Sequence, residues 1–260
     1  MTTPPRKWGG DLLFLLENLI LKDFRIRYRN MSLGVLWSLI NPLVMMGVMV
    51  FIFSNVMANK GISAYPLFIL CGLVPYNFFT GALQAGTTSI LDSAALVKRV
   101  AVPREVVPVA SVLSNCVHLL IQFGLLVGFA LIFHLPPTVS WLWLPVVWAL
   151  FIVFVCGLAL GASAVNVFIR DTRYVVESFN LVLFWLVPIF YPFSYIPDRY
   201  RDVYQFNPVA ALVMAMRNIL IDRQAPAPSL LRNMTIAAVA TATLGTWLFR
   251  RLKSRFYEHL

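Results

Sequence analysis

Arg25-Ile26-Arg27-Tyr28-Arg29-Asn30-Met31-Ser32-Leu33-Gly34-Val35-Leu36-Trp37-Ser38-Leu39-Ile40-Asn41-Pro42 carries the chain from its densest basic cluster into a run without charge. The first half suits an aqueous, anionic surface. The second suits hydrocarbon, where charged side chains are costly. The stretch therefore reads as the junction between a surface helix and a first membrane helix. Upstream, Leu13, Leu16, Ile20, Phe24 and Tyr28 recur at helical spacing, with Asn18, Lys22, Arg25 and Arg29 on the opposite face. Residues 24–29 also alternate as a strand would, but the longer window favours a helix. Residues 11–31 are thus expected to lie in the membrane interface, apolar face among acyl chains and cations among lipid phosphates.

Composition supports the same solvent. Residues are 60% hydrophobic and 12% charged, whereas about a quarter of a soluble domain is charged. A net charge of +10 could suggest nucleic acid, but no basic surface interleaved with aromatics is present, so no nucleic-acid partner is expected. The cations fit the positive-inside bias of membrane proteins instead. Cys71, Cys116 and Cys156 lie in apolar runs without paired spacing, which argues against disulfides and a metal site. Asp11 and Glu17 interrupt the apolar stretch after Arg6 and Lys7, so no signal peptide is expected.

A helix needs about 20 apolar residues to cross a bilayer core of roughly 30 Å. That length predicts an all-α polytopic membrane protein with six transmembrane helices, at 33–56, 65–91, 109–133, 141–168, 177–195 and 231–250. Pro42 predicts a kink in the first. His134-Leu-Pro-Pro-Thr-Val-Ser140 divides a long uncharged run into the third and fourth. Val209–Ile221 is too short to cross, and with Asn207-Pro208 before it predicts two short helices within 198–222 that dip back from one face. With both termini cytoplasmic, fifteen of the 21 Lys and Arg residues fall on the cytoplasmic side.

The chemical negatives narrow the function. No Gly-Lys dipeptide exists, hence no Walker-type phosphate loop. No span holds a mid-helix carboxylate or arginine of the kind that marks ion-coupled carriers. Gly161-Ala-Ser163 with His118 or His134 is better read as helix packing than as a serine hydrolase. Asn115, His118 and Gln122 form a polar stripe best read as an interhelical hydrogen-bond face. Gly124-x-x-x-Gly128 and Gly157-x-x-x-Gly161 mark close packing between spans three and four or with a neighbour. Trp141, Trp143 and Trp148 suit an interfacial belt. Tyr76, Phe78, Phe79, Phe184, Trp185, Phe190 and Tyr191 are either lipid-facing filler or faces that stack on sugar rings. Asp92 or Ser93 can cap a short basic helix that Pro103 ends, between two spans, where a soluble subunit could dock.

Three stretches resemble one family. Arg27-Tyr28-Arg29-x-x-Ser32-Leu-Gly34-x-Leu-Trp37 with Asn41-Pro42 is similar to the leading signature of permeases in ATP-binding-cassette exporters of O-antigen, capsule and teichoic acid. Leu96-Val-Lys98-Arg99 with Pro103-Arg104-Glu105-Val-Val-Pro108 resembles their coupling loop, with Ala101-Val102 where an aromatic residue is expected. Arg170-Asp171-x-Arg173, Pro188-Ile-Phe-Tyr191-Pro192 and Asn207-Pro208 follow in the family's order. The resemblance implies a bacterial inner-membrane homodimer served by two copies of a separate ATPase, which holds the ATP and magnesium; this chain itself would bind no cofactor and catalyse nothing. It implies a coupling helix over 93–104, with Ser93, Leu96, Lys98, Arg99, Pro103, Arg104 and Glu105 at the ATPase. Arg25, Arg27, Tyr28 and Arg29 would meet the head of an undecaprenyl-diphosphate-linked glycan. Tyr200, Tyr204, Asn207, Pro208, Met214 and Arg217 would belong to external gate helices. An exporter of another lipid or a drug, an intramembrane enzyme and an ion-coupled transporter stand as alternatives.

Overall fold

The computed structural model describes residues 10–29, 33–56, 62, 64–99 and 102–256, without the side chains of Arg27, Asn55, Val56 and Arg99. Among them every regular element is helical. Helix α1 (Leu12–Tyr28) starts where the Asp11 carboxylate accepts from the Leu13 amide at 2.9 Å. It remains helical through the alternating stretch, because Leu19 is buried against the following helices.

After a 3-10 turn at Gly34–Leu36, α2 (Trp37–Val50) continues into a π-helical stretch, Phe51–Val56. Gly34 takes φ +49°, a left-handed conformation that suits glycine. Pro42 sits inside α2 and cannot donate to the Ser38 carbonyl one turn back. That carbonyl accepts from Gln122 Nε2 at 3.1 Å instead. A neighbouring helix thus repairs the backbone gap, as is required in hydrocarbon.

Helix α3 (Tyr65–Asp92) is the hub: 19 of its 28 residues are buried, against three of 14 in α2. It leads into α4 (Ala94–Arg99), and α5 (Val106–Ile132) follows. A 3-10 turn at Val139–Trp143 opens α6 (Leu144–Phe168). Helix α7 (Thr172–Leu186) is next, then α8 (Asp198–Phe206), α9 (Pro208–Leu220) and α10 (Pro228–Leu252).

Among the described residues, four helical stretches are long and apolar enough to cross a membrane: Gly34–Ser54, Tyr65–Asp92, Val106–Ile132 and Val139–Phe168. The helix expected over 177–195 is not one helix. It begins earlier, at Thr172, and stops at Leu186, because Pro188 lacks an amide hydrogen and forces Val187 into an extended conformation (φ −89°, ψ 134°). Its 15 residues reach only about 22 Å. Helix α10 has the length, at 25 residues, but carries Arg232, Asn233 and four threonines. Thr235 and Thr243 return their hydroxyls to carbonyls one turn back at 2.8 Å, which hides that polarity.

Gly157 packs on a neighbouring helix, α10, in direct backbone contact with Gly245, and a methyl on either would collide with the other helix's main chain. A methyl added at Gly124 or Gly128 would meet nothing within 4 Å. Trp148 lies in the core, edge-on to Phe78 and Phe151, not in an interfacial belt.

Candidate functional site

Two apolar clusters divide the fold. The smaller collects Leu19 of α1, Ile90 of α3, Val97 of α4, Val107 of α5, and Phe249 and Phe256 near the end of the described chain. It fixes α4 against the bundle through Val97, 1% exposed, and leaves Lys98 in solvent. Leu96 is half-buried, and the Arg99 side chain lies outside those described. Of the helix expected over 93–104, Ala94–Arg99 is helical among the described residues, and Val100 lies outside them. Ala101 lies outside the described residues, and Val102 and Pro103 are non-helical.

Ser93 stands at the start of α4, its carbonyl accepting from the Val97 amide at 3.0 Å, and its hydroxyl accepts from Lys22 Nζ at 3.3 Å. Lys22 also approaches Asp23 at 3.3 Å, and Asp23 Oδ2 accepts from Ser111 Oγ at 2.9 Å. Helix α1 is thereby tied at one point to both the start of α4 and α5.

Arg104 and Glu105, both half-buried, make contacts within the chain. Arg104 Nη1 donates to the Lys253 carbonyl at 2.5 Å, and its guanidinium lies 6.0 Å from the Phe256 ring centre. Glu105 Oε1 accepts from Lys253 Nζ at 2.6 Å. Burial alone would raise the Glu105 pKa. The Lys253 hydrogen bond, a backbone hydrogen bond and the charges of Lys253 and Arg250 outweigh burial and lower it. The ion pair is half-exposed, so its worth is about 0.2–1 kcal/mol. The fully buried Phe256 ring contributes more, about 1.5–3 kcal/mol. Phe256 packs on Phe249 and Phe168 and forms an aromatic plug from the C-terminal segment, on which the loop after α4 rests through Arg104. Sequence reasoning missed Lys253 and Phe256; the signal was Phe249 and Phe256, two apolar residues seven apart in a basic tail.

At the other end of α1, Arg25 and Arg29 are exposed. Tyr28 turns its hydroxyl inward, 2.6 Å from Ser38 Oγ and 2.7 Å from His118 Nδ1, while Ser38 Oγ lies 2.9 Å from the same nitrogen. With the Gln122 bond to Ser38, His118 and Gln122 form the interhelical hydrogen-bond face that their spacing predicts. Asn115 Nδ2 donates within α5, to the Ser111 carbonyl at 2.8 Å.

The seven expected channel aromatics divide. Phe78 and Phe79, 4% and 1% exposed, fill the α3–α6 contact against Phe151 and cannot face a conduit in this conformation. Asn77, Thr80, Gln84 and Thr88 recur at helical spacing on the less buried face of α3, and Phe78 and Phe79 point away from that stripe. Tyr76 donates to the Asn180 carbonyl at 2.5 Å and meets Phe184 edge-on. Phe190 is buried, while Trp185 is 64% exposed and meets Phe184 and Phe190 edge-on. Tyr191 donates to Tyr204 Oη at 3.4 Å.

Of the expected gate residues, Tyr200 is exposed. Asn207 caps α9 by accepting from the Val209 amide at 3.1 Å, with Pro208 at the first position. Met214 and Arg217 are interior, because 11 of 13 residues in α9 are buried. Arg217 Nη2 donates to the carbonyls of Ile189 (2.7 Å) and Phe68 (3.4 Å), with the guanidinium 3.4 Å above the Phe68 ring. Tyr65 donates to the Phe190 carbonyl at 2.8 Å. The segment after α7 is thus pinned by α3 and α9 together.

Among the described residues no three His, Cys, Asp or Glu side chains cluster as metal ligands. The chain matches the ABC-2 type transporter family over residues 15–221. It is 29% identical over 251 residues to an O-antigen export system permease protein RfbA of Klebsiella pneumoniae, covering 96% of this chain and 95% of that one. An O-antigen export system permease protein RfbA of Myxococcus xanthus is 27% identical over 248 residues, 95% of each chain. The polysialic acid transport protein KpsM of Escherichia coli is 21% identical over 240 residues, 90% of this chain and 92% of that one.

Proposed function

The chain belongs to the ABC-2 type transporter family, and from that premise we propose that it is the membrane subunit of an ATP-driven exporter of an O-antigen-like polysaccharide on undecaprenyl diphosphate. The near end-to-end likeness to O-antigen export permeases carries this reading. Two copies of the chain form the conduit in the bacterial inner membrane, with both termini cytoplasmic and six crossings. Two copies of a separate ATPase bind ATP and magnesium.

In this scheme α4 is the coupling helix, and exposed Lys98 offers it a charge. Interface helix α1 reports the same movement to the bundle through Lys22 and Asp23. Arg25, Arg27 and Arg29 meet the diphosphate as it reaches the cytoplasmic face, since guanidinium pairs with phosphate through two hydrogen bonds. Helices α8 and α9 form the external gate, and the pinned segment after α7 sets its closed position. The likeness to a polysialic acid transport protein favours a capsule glycan as the second reading.

The test is reconstitution with the cognate ATPase in vesicles supplied with undecaprenyl-diphosphate-linked glycans. ATP-dependent appearance of glycan on the far side supports export. Movement driven by an ion gradient without ATPase, or none with ATP, refutes it.

A further inference from the structure

A cavity of about 400 Å³ lies between the 192–194 turn, α8, α9 and the start of α10. It sits at the end of the fold farthest from α4. Phe68 on its wall precedes Asp92 by 24 residues on α3, about 36 Å along the helix axis. Its walls combine apolar Phe193 and Leu230 with polar Gln205, Arg217, Asn218 and Asp222. That is the usual make-up of a small-molecule site, in which a few placed polar groups interrupt an apolar lining.

Two observations separate it from a surface dimple. Arg217 is only 7% exposed, and its Nε has no hydrogen-bond partner. Both protein contacts of the guanidinium use Nη2, on the Ile189 and Phe68 carbonyls. Among the described residues no carboxylate lies within ion-pair distance of it. Yet Asp222 borders the same cavity, and the two groups sense each other: burial raises the Asp222 pKa, and the Arg217 charge opposes the rise. A buried cation and a half-buried carboxylate thus face one space without closing on each other, an arrangement that leaves hydrogen-bonding capacity unused.

The pair also selects the ligand. An anion would satisfy Arg217 and meet repulsion from Asp222, and a cation the reverse. A neutral group with adjacent hydroxyls can donate to the carboxylate and accept from the guanidinium together. Asn218 and Gln205 can each donate and accept, and Phe193 and Leu230 suit the apolar face of a ring. We propose that this cavity binds an uncharged hexose unit of the glycan at the end of the permease opposite its ATPase. The assignment rests on the polysaccharide-export reading and adds to it a contact for the sugar itself.

The experiment is saturation-transfer NMR on the permease–ATPase complex in nanodiscs. The probes are methyl glycosides of mannose, glucose and galactose, with methyl glucuronide as the acidic arm. At least one neutral glycoside should receive saturation. Asp222→Asn and Asn218→Ala should each weaken its binding about tenfold or more, the loss expected when a hydrogen bond to a charged or buried polar group is removed. Gln205→Ala, on α8, gives the same readout should Asn218→Ala fail to fold. Transfer to no neutral glycoside, binding unchanged in the variants, or a preference for glucuronide that survives Asp222→Asn would each overturn the proposal. ATP-driven glycan movement is measured on the same complex. Export without hexoside binding sinks the cavity assignment alone, whereas absence of export sinks the reading beneath it.

Discussion

Replacing Phe256 by alanine tests what holds the loop after α4. The ring is fully buried and meets Phe249 edge-on, with centroids 5.4 Å apart. Phe→Ala at such a site costs about 3–5 kcal/mol. The loss should be local, because Phe256 packs at one end in the smaller cluster, and an opening free energy reduced by that amount raises amide exchange by factors of about 10² to several thousand. Hydrogen exchange with mass spectrometry would read it over 102–107 and 249–256, against unchanged protection in α3. The half-exposed Glu105–Lys253 pair supplies a contrast: Lys253→Met should cost no more than about 1 kcal/mol. The Glu105 pKa is lowered from 4.5, so its contribution is complete above that value and is lost as pH falls through the lower folded pKa. Equal exchange in Phe256→Ala and wild type, or a larger effect from Lys253→Met, would refute the aromatic plug.

Lys98→Glu should leave insertion and melting unchanged and reduce export relative to ATP hydrolysis, measured in reconstituted vesicles; Arg104→Glu should also loosen the C-terminal segment, seen by exchange. Gly245→Ala forces α10 away from Gly157 and should destabilise the fold by at least the 1–3 kcal/mol typical of overpacking, visible as a lower melting temperature in detergent. Gln122→Leu strands the Ser38 carbonyl opposite Pro42 and should cost about 1–3 kcal/mol, measured by the same melt. Arg25→Gln with Arg29→Gln, both exposed, should weaken retention of undecaprenyl-diphosphate lipid while the complex still assembles; undiminished lipid binding leaves these cations a topological role only.

The junction at 25–42 was legible because charge and hydropathy change together there, and α1 and α2 meet at that place. The two short helices α8 and α9 were legible from Asn207-Pro208, which acts through backbone capping and needs no tertiary partner. Burial was only partly legible. On the helix of Phe78 and Phe79 the polar stripe Asn77, Thr80, Gln84 and Thr88 marks the less buried face, but aromatic residue type alone did not tell packing within the chain from lining a conduit. Arg217 was expected in an external gate helix, and its burial there was not, because the Ile189 carbonyl in the irregular 187–192 segment accepts from it deep in the fold. Arg104 and Glu105 also meet Lys253, about 150 positions away, a proximity no local pattern encodes.

The contact between Gly157 and Gly245 has a mechanical reading. Two helices whose main chains touch leave little side chain to deform, so α6 and α10 respond to load as a single strut. One end of α10 is fastened beside the loop after α4 through Lys253 and Phe256; the other, at Ser229 and Leu230, walls the far cavity. Its 25 residues span about 37 Å. A push at the fastened end therefore reaches the opposite face as a rigid shift, with no chain of rotamer changes in between.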